Sequence, residues 1–442
     1  MLAVMIHIIR SGELAADFYA PRLASGAEGA VRAILADVRA RGDAAVREYG
    51  VRFDKCAPET LEIPLSDAAE AARTLRREQP ALYDALCYSR DLALRFARMQ
   101  REAFVGFETE LKPGLFAGQR IIPVKRAGAY VPAGRYPLLS TVIMTVCPAL
   151  AAGVADVVLC TPPRRHPGDA SPAQPWADSG ILAAASLCGV TRIFAAGGAQ
   201  AIAAMGYGTE SVPQCSVLVG PGNKYVAEAK RQMFGYAGID MVAGPTEVLV
   251  IADGNADPAW IAADLIAQAE HDADAQAVLV TDSEALARAV DTKLGAQLER
   301  HPAPETARAS LARNGYAVLV PCLRDALALA NRKAAEHVEL ALEAGAERDF
   351  FAQRLTNYGS LFVGYRAAEV LGDYAAGINH TLPTSGSACF AGGLSVRCFL
   401  KTVTTLRAER GVGTDKSLAA AAEIARAEGL FGHAAAADIR GL

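Results

Sequence analysis

The first hundred residues mix polar and apolar positions at helical spacing, clearest in GAVRAILADVRARGDAAVREY and ALYDALCYSRDLALRFARM. Apolar residues three and four apart put a stripe on one side of a helix, so this part is expected to be helical. From about Gly114 the texture changes. Short β-branched runs, DVVLCTPP, TRIFAAGG, CSVLVGPG, TEVLVIAD, AVLVTDS and YAVLVPC, alternate with Ala-rich helical stretches. Apolar runs without polar alternation suit strands buried on both faces. Helices between them mean βαβ units and a mostly parallel sheet. The runs fall into two groups, before and after about Asp240, which predicts two α/β domains.

Three stretches need separate reading. Leu139 to Cys160 (LSTVIMTVCPALAAGVADVVLC) is apolar enough to suggest a membrane span, but it holds Pro148, Gly153 and Asp156. A buried helix, a turn and a strand fit it better. RRHPGDASPAQPWADSG, residues 164–180, reads as a surface loop within a domain. After Gly393 the chain runs LSVRCFLKTVTTLRAERGV into an Ala-rich helical finish. That tail is too short for a core of its own, so it must dock on the body or on another subunit.

Composition narrows the class. At 442 residues, with 52% hydrophobic and 21% charged, the chain is globular and longer than one core requires. Forty-four basic against 48 acidic residues give a net charge of −4, without the basic excess of a nucleic-acid binder. Nine scattered cysteines with no CxxC pair read as reduced thiols, not as a disulfide framework or a thiolate zinc site. The opening MLAVMIHIIRSGELAADFY has no basic leader region, so it is not read as a secretory signal. The expectation is a cytoplasmic protein without a membrane or nucleic-acid partner.

Candidate chemistry sits in a few short segments. Two glycine-rich turns follow strands, Gly197-Gly198-Ala199-Gln200 and Gly220-Pro221-Gly222-Asn223-Lys224, and there is no GxGxxG. Such turns aim backbone N–H groups at a phosphate, although any parallel sheet also needs tight turns. Asp257-Pro258 is a helix start, and on that helix Gln268 and His271 share a face. An amide oxygen and an imidazole could be half a zinc site or a structural helix end. Glu336-His337 could pair a base with a proton shuttle, or be a solvated end. Asp373 and His380 lie in GDYAAGINHTLPT, and Glu428 and His433 bracket a turn in the tail. Together these form a metal and acid/base inventory.

The blocks AGAYVPAG, GGAQAIAA, GPGNKYVAEAKR, IDMVAGPTEVLVIAD, AQAEHD, EHVEL, GDYAAGINHTLPT and EGLFGH occur in the order of the histidinol dehydrogenase family. The chain resembles that family from about Leu35 to Ile439. The resemblance implies a Zn2+- and NAD-dependent enzyme that oxidises a primary alcohol through an aldehyde to a carboxylate with two NAD. The type reaction is L-histidinol to L-histidine. By resemblance, Gln268, His271 and Asp373 are zinc ligands, and His433 is the fourth, supplied across a homodimer with a shared active site. Glu336 and His337 match the catalytic pair. Thr246, His380 and Glu428 match substrate contacts, which the metal ligands and the catalytic pair line as well. Tyr130, Gln200 and Asn223 match NAD contacts.

The fold so implied is α/β. It has two incomplete Rossmann-like parallel-sheet domains, a helical N-terminal part and a C-terminal dimer-swapping tail. The expected organisation is an arm at 1–25, a discontinuous metal-binding domain at 26–129 plus 248–390, an NAD-binding domain at 130–247 and the tail at 391–442.

Departures from the family pattern bear on the substrate. Thr246 stands in GPTEV where the type enzyme has Ser. Pro132-Ala133-Gly134 replaces PGG, and Ala335 replaces the proline before EHVEL. NYGSLF, GGLSV and FLKTVT look more like paralogues, at least one group of which oxidises sulfopropanediol to sulfolactate. A sulfonate would want arginines, and Arg135 and Arg397 are candidates on charge, or else surface residues. An inactive zinc-stabilised binding dimer is a third reading. Against it, every matched position holds a residue suited to its role.

Overall fold

The computed structural model describes residues 5–22, 26–133, 137–164 and 176–441. All six β-branched runs are strands. They belong to two six-stranded sheets, and a separate three-stranded antiparallel sheet accompanies them.

The first sheet is parallel throughout. In spatial order its strands are His7–Arg10, Gly315–Leu319, Gln276–Thr281, Glu247–Ala252, His337–Ala341 and Ser360–Val363. The second runs Glu62–Ile63, Arg192–Ala195, Asp156–Thr161, Arg126–Tyr130, Val217–Val219 and Gly238–Ile239, with only the Glu62–Ile63 edge antiparallel. Helices cover both faces of each, as buried parallel strands require.

The N-terminal hundred residues are helical as expected, over Glu28–Arg41, Asp43–Tyr49, Leu65–Glu78 and Pro80–Glu102. Their packing differs from the expected grouping of 26–129 with 248–390. Ile34, Leu35 and Val46 bury against Tyr130 and Phe194, and Leu75, Leu86 and Ala93 against Val142 and Ile181. These helices therefore complete the second sheet's core. The arm is an edge strand of the first sheet, with His7 opposite Tyr316. The hairpin Phe107–Lys112 and Leu115–Pro123 escaped the reading because its outer strand is exposed throughout, so no buried run marks it.

The long apolar stretch resolves as read, into a helix Leu139–Ala152, a left-handed Gly153 and a strand Asp156–Thr161. Among the described residues no helix is long and apolar enough to cross a membrane. Pro148 lies inside that helix and cannot donate to the carbonyl of Met144. The Asn379 amide donates there instead, at 2.7 Å. The loop that carries His380 is thereby latched to the second sheet's helix layer. Most of the predicted surface loop, residues 165–175, lies outside the described residues.

The tail's strand Leu400–Ala408 pairs antiparallel with Leu115–Pro123, and helices Val412–Ala427 and Phe431–Asp438 pack on each other. Leu406, Val412, Phe431 and Ile439 on it are more than 70% exposed, so in the single chain this surface has no apolar cover.

Candidate active site

One large cleft is lined from both sheets. On the first sheet, His337 pairs in register with Val248, so Thr246-Glu247 and Glu336-His337 lie side by side at the N-terminal ends of neighbouring strands. Helix Pro258–Ala269, N-capped by Asp257, ends at the same edge and carries Gln268 in its last turn. Unpaired carbonyls at a helix C-terminus favour cations. Helix Glu369–Tyr374 adds Glu369 and Asp373, four apart on one face.

The ligand atoms of His271, Glu369 and Asp373 lie within 4.8 Å of one another. Gln268 is fully buried, and one end of its amide faces the Glu369 carboxylate, where a cation between the two would take the amide oxygen. The other end lies against the Thr246 hydroxyl, to which the amide nitrogen then donates. That hydroxyl in turn gives its proton to Glu336. Glu336 also accepts from the Glu247 N–H at 3.0 Å. The His337 Nδ1 is 3.2 Å from the Glu247 carbonyl oxygen, which can only accept, so Nδ1 carries the proton. Nε2 is left with its lone pair, buried, without a partner among the described residues and 3.9 Å from Asp373.

Burial dominates the electrostatics. It pushes Glu336 and Glu369 well above the usual carboxylate range and Asp373 up to about 7. Neighbouring carboxylates raise Glu369 further. The imidazoles go the other way, His337 to about 3, His380 to about 4, and His271 below its ordinary value. Neutral imidazoles beside carboxyls that resist ionising are what a divalent cation would relieve. The donors are nitrogen and oxygen at a helix C-terminus, so the residues present fit zinc.

Glu369 was not singled out from sequence. In AAEVLGDY it reads as an ordinary acidic residue at a helix start. Of the expected residues, the fold gathers Thr246, Gln268, His271, Glu336, His337, Asp373 and His380 around this cleft. Glu428 and His433 are exposed on the tail and do not line it. Arg397 is exposed and outside the lining as well, and Arg135 lies outside the described residues. Arg22, also not anticipated, does line the cleft, and its Nη1 is buried without a partner among the described residues.

The second sheet faces the cleft with the C-terminal ends of its strands. From Arg126–Tyr130 the chain moves outward through two strands, then returns to Val217–Val219 on the other side. Ligands bind at such a switch point. Tyr130, Gln200 and Asn223 all line it. The Tyr130 hydroxyl accepts from the Gly198 N–H at 3.1 Å, and Asn223 caps helix Lys224–Met233 through its Oδ1, leaving the amide nitrogen for a ligand.

The turn between them is braced. Asp240 accepts from the Gly220 N–H, while Lys230 donates to the Gly220 carbonyl and pairs with Asp240, both charges being buried. Gly220 has φ +118°, and a Cβ there would lie 2.1 Å from the Tyr130 carbonyl oxygen. Gly220→Ala should therefore cost about 1–3 kcal/mol in backbone strain alone and weaken nucleotide binding by displacing Tyr130. Urea unfolding with a nucleotide titration would check this, and unchanged affinity would refute it.

Two parallel-sheet layers meeting at one cleft, one with glycine-rich turns and the other with imidazoles, carboxyls and a buried amide, define an α/β protein of the two-sheet kind with an enzyme-like cleft. The sequence profile of the histidinol dehydrogenase family matches residues 22–441, and the chain belongs to that family. It is 46% identical to a histidinol dehydrogenase of Xanthomonas euvesicatoria, over 95% of this chain and 93% of that one. It is 41% identical to a sulfopropanediol 3-dehydrogenase of Ruegeria pomeroyi, over 94% and 93%. The crystal structure of histidinol dehydrogenase from Elizabethkingia anophelis superposes with a TM-score of 0.88 at 31% identity, covering 99% of this chain and 98% of that one. The protein is a dehydrogenase with the fold of that structure.

Proposed function

We propose that the chain is a cytoplasmic, zinc- and NAD-dependent homodimer that oxidises a primary alcohol through an aldehyde to a carboxylate, with L-histidinol as substrate. The observation that carries this is the convergence of Gln268, His271 and Asp373 with Glu336 and His337 at one cleft that also holds the nucleotide-type turns. Zinc, held by Gln268, His271, Asp373 and the tail's His433 from a second subunit, would orient and polarise the substrate, and NAD would accept the hydrides.

His337 does the first proton work. Its Nδ1–H is fixed on the Glu247 carbonyl, so Nε2 takes the hydroxyl proton as the hydride departs. Glu336 then accepts a proton from the water that adds to the aldehyde. Thr246 and the Glu247 N–H hold its carboxylate by one oxygen, leaving the other for that water. The wet, exposed tail is explained if it covers the partner's cleft.

A second reading follows from Arg22. An unpaired guanidinium nitrogen at the cleft suits an anionic alcohol such as sulfopropanediol. The deciding experiment follows NADH formation by the zinc-loaded protein with each alcohol. Histidinol should yield two NADH per molecule, chelation should abolish turnover, and added zinc should restore it. Silence with histidinol and turnover of sulfopropanediol would move the assignment to the anionic substrate. Turnover that survives full zinc removal would overturn the metal reading.

A further inference from the structure

One acidic side chain of the cleft has no part in the chemistry above. Asp54 ends the helical turn Gly50–Asp54 and lines the cleft with Tyr130, Gln200 and Asn223. Its segment is strapped over the second sheet, since the Cys56 thiol donates to the Pro163 carbonyl at 3.6 Å just beyond strand Asp156–Thr161. The Asp54 Oδ2 is buried and has no hydrogen-bond partner among the described residues, and its charge is close enough to raise the Tyr130 phenol. Burial pushes Asp54 up to about 6, so it is mostly ionised at neutral pH.

Three cationic side chains of the lining have other partners. Arg52 lies over the Phe53 ring, the Lys55 ammonium donates to the Arg52 carbonyl at 2.9 Å, and Arg164 pairs with Asp178. A half-buried carboxylate with a spare acceptor at a nucleotide crevice matches a neutral pair of hydroxyl donors. It repels a phosphate in the same place.

We propose that Asp54 accepts hydrogen bonds from the vicinal hydroxyls of the dinucleotide's adenosine ribose and shuts out a 2′-phosphate, making the chain selective for NAD over NADP. This rests on the reading that the cleft binds a nicotinamide dinucleotide. It assigns the selectivity to one side chain.

The test is equilibrium titration of the zinc-loaded, full-length protein with NAD and with NADP, so that it does not depend on which alcohol is oxidised. The wild type should bind NAD at least about tenfold tighter than NADP. Asp54→Asn keeps the shape and removes the charge, and should erase most of that preference. Asp54→Ser also makes room for a 2′-phosphate and should bind NADP better than the wild type does. Zinc content and thermal unfolding confirm that the variants fold. Equal wild-type affinities, or a preference unchanged in both folded variants, would overturn the proposal. Normal NAD selectivity with no turnover of histidinol would instead count against the substrate reading alone.

Discussion

Glu336→Gln is expected to stop acid formation while leaving zinc content and the first oxidation largely intact. The side chain is buried at the cleft wall and held by the Thr246 hydroxyl and the Glu247 N–H, contacts that a glutamine of the same shape can keep in part. What it cannot do is accept a proton from water. Loss of a positioned base costs about a hundredfold to ten-thousandfold in rate. The measurement is NADH per alcohol consumed, with a carbonyl trap to catch the aldehyde. Full acid-forming turnover in this variant would remove Glu336 from the role of base.

The second large effect is expected far from the cleft. His433→Ala should lower zinc affinity by more than the roughly 10–100-fold that loss of an outer-shell partner costs. In the single chain His433 is exposed on helix Phe431–Asp438, and no cleft residue explains why metal loss should follow. Only a second subunit makes the connection, and the uncovered Leu406, Val412, Phe431 and Ile439 are the surface it would bury. Mixing offers an independent check. A heterodimer of Glu336→Gln with His433→Ala places both lesions in one site and restores the other. Random reassociation of the two variants, each deficient in acid formation alone, should then recover roughly a quarter of the wild-type acid-forming activity, half the dimers having one of two sites intact. Unchanged zinc in His433→Ala, or no recovery on mixing, would refute the shared site.

How much of this the sequence could say depends on the range of the forces involved. The six buried runs were legible because a strand covered on both faces must be apolar along its whole length. The helix start at Asp257-Pro258 was legible because caps act within one turn. Phe107–Lys112 was not, because an exposed antiparallel strand has no buried face to write into the pattern. The ordered blocks located Gln268, His271, Glu336, His337 and Asp373, yet nothing local marks Glu369 or Asp54. Each looks like a solvated acid until helices and strands far apart in the chain enclose it.

By itself the sequence determined the α/β class, the order of its strands along the chain, the family resemblance and the types of donor available. The tertiary structure alone decided that helices Glu28–Arg41 through Pro80–Glu102 complete the second sheet, and that His7–Arg10 edges the first. It alone set the protonation pattern of the site, with neutral imidazoles and raised carboxyls. The reason is physical. Periodicity and capping are local, whereas desolvation and the pairing of parallel strands depend on which distant segments come to lie side by side.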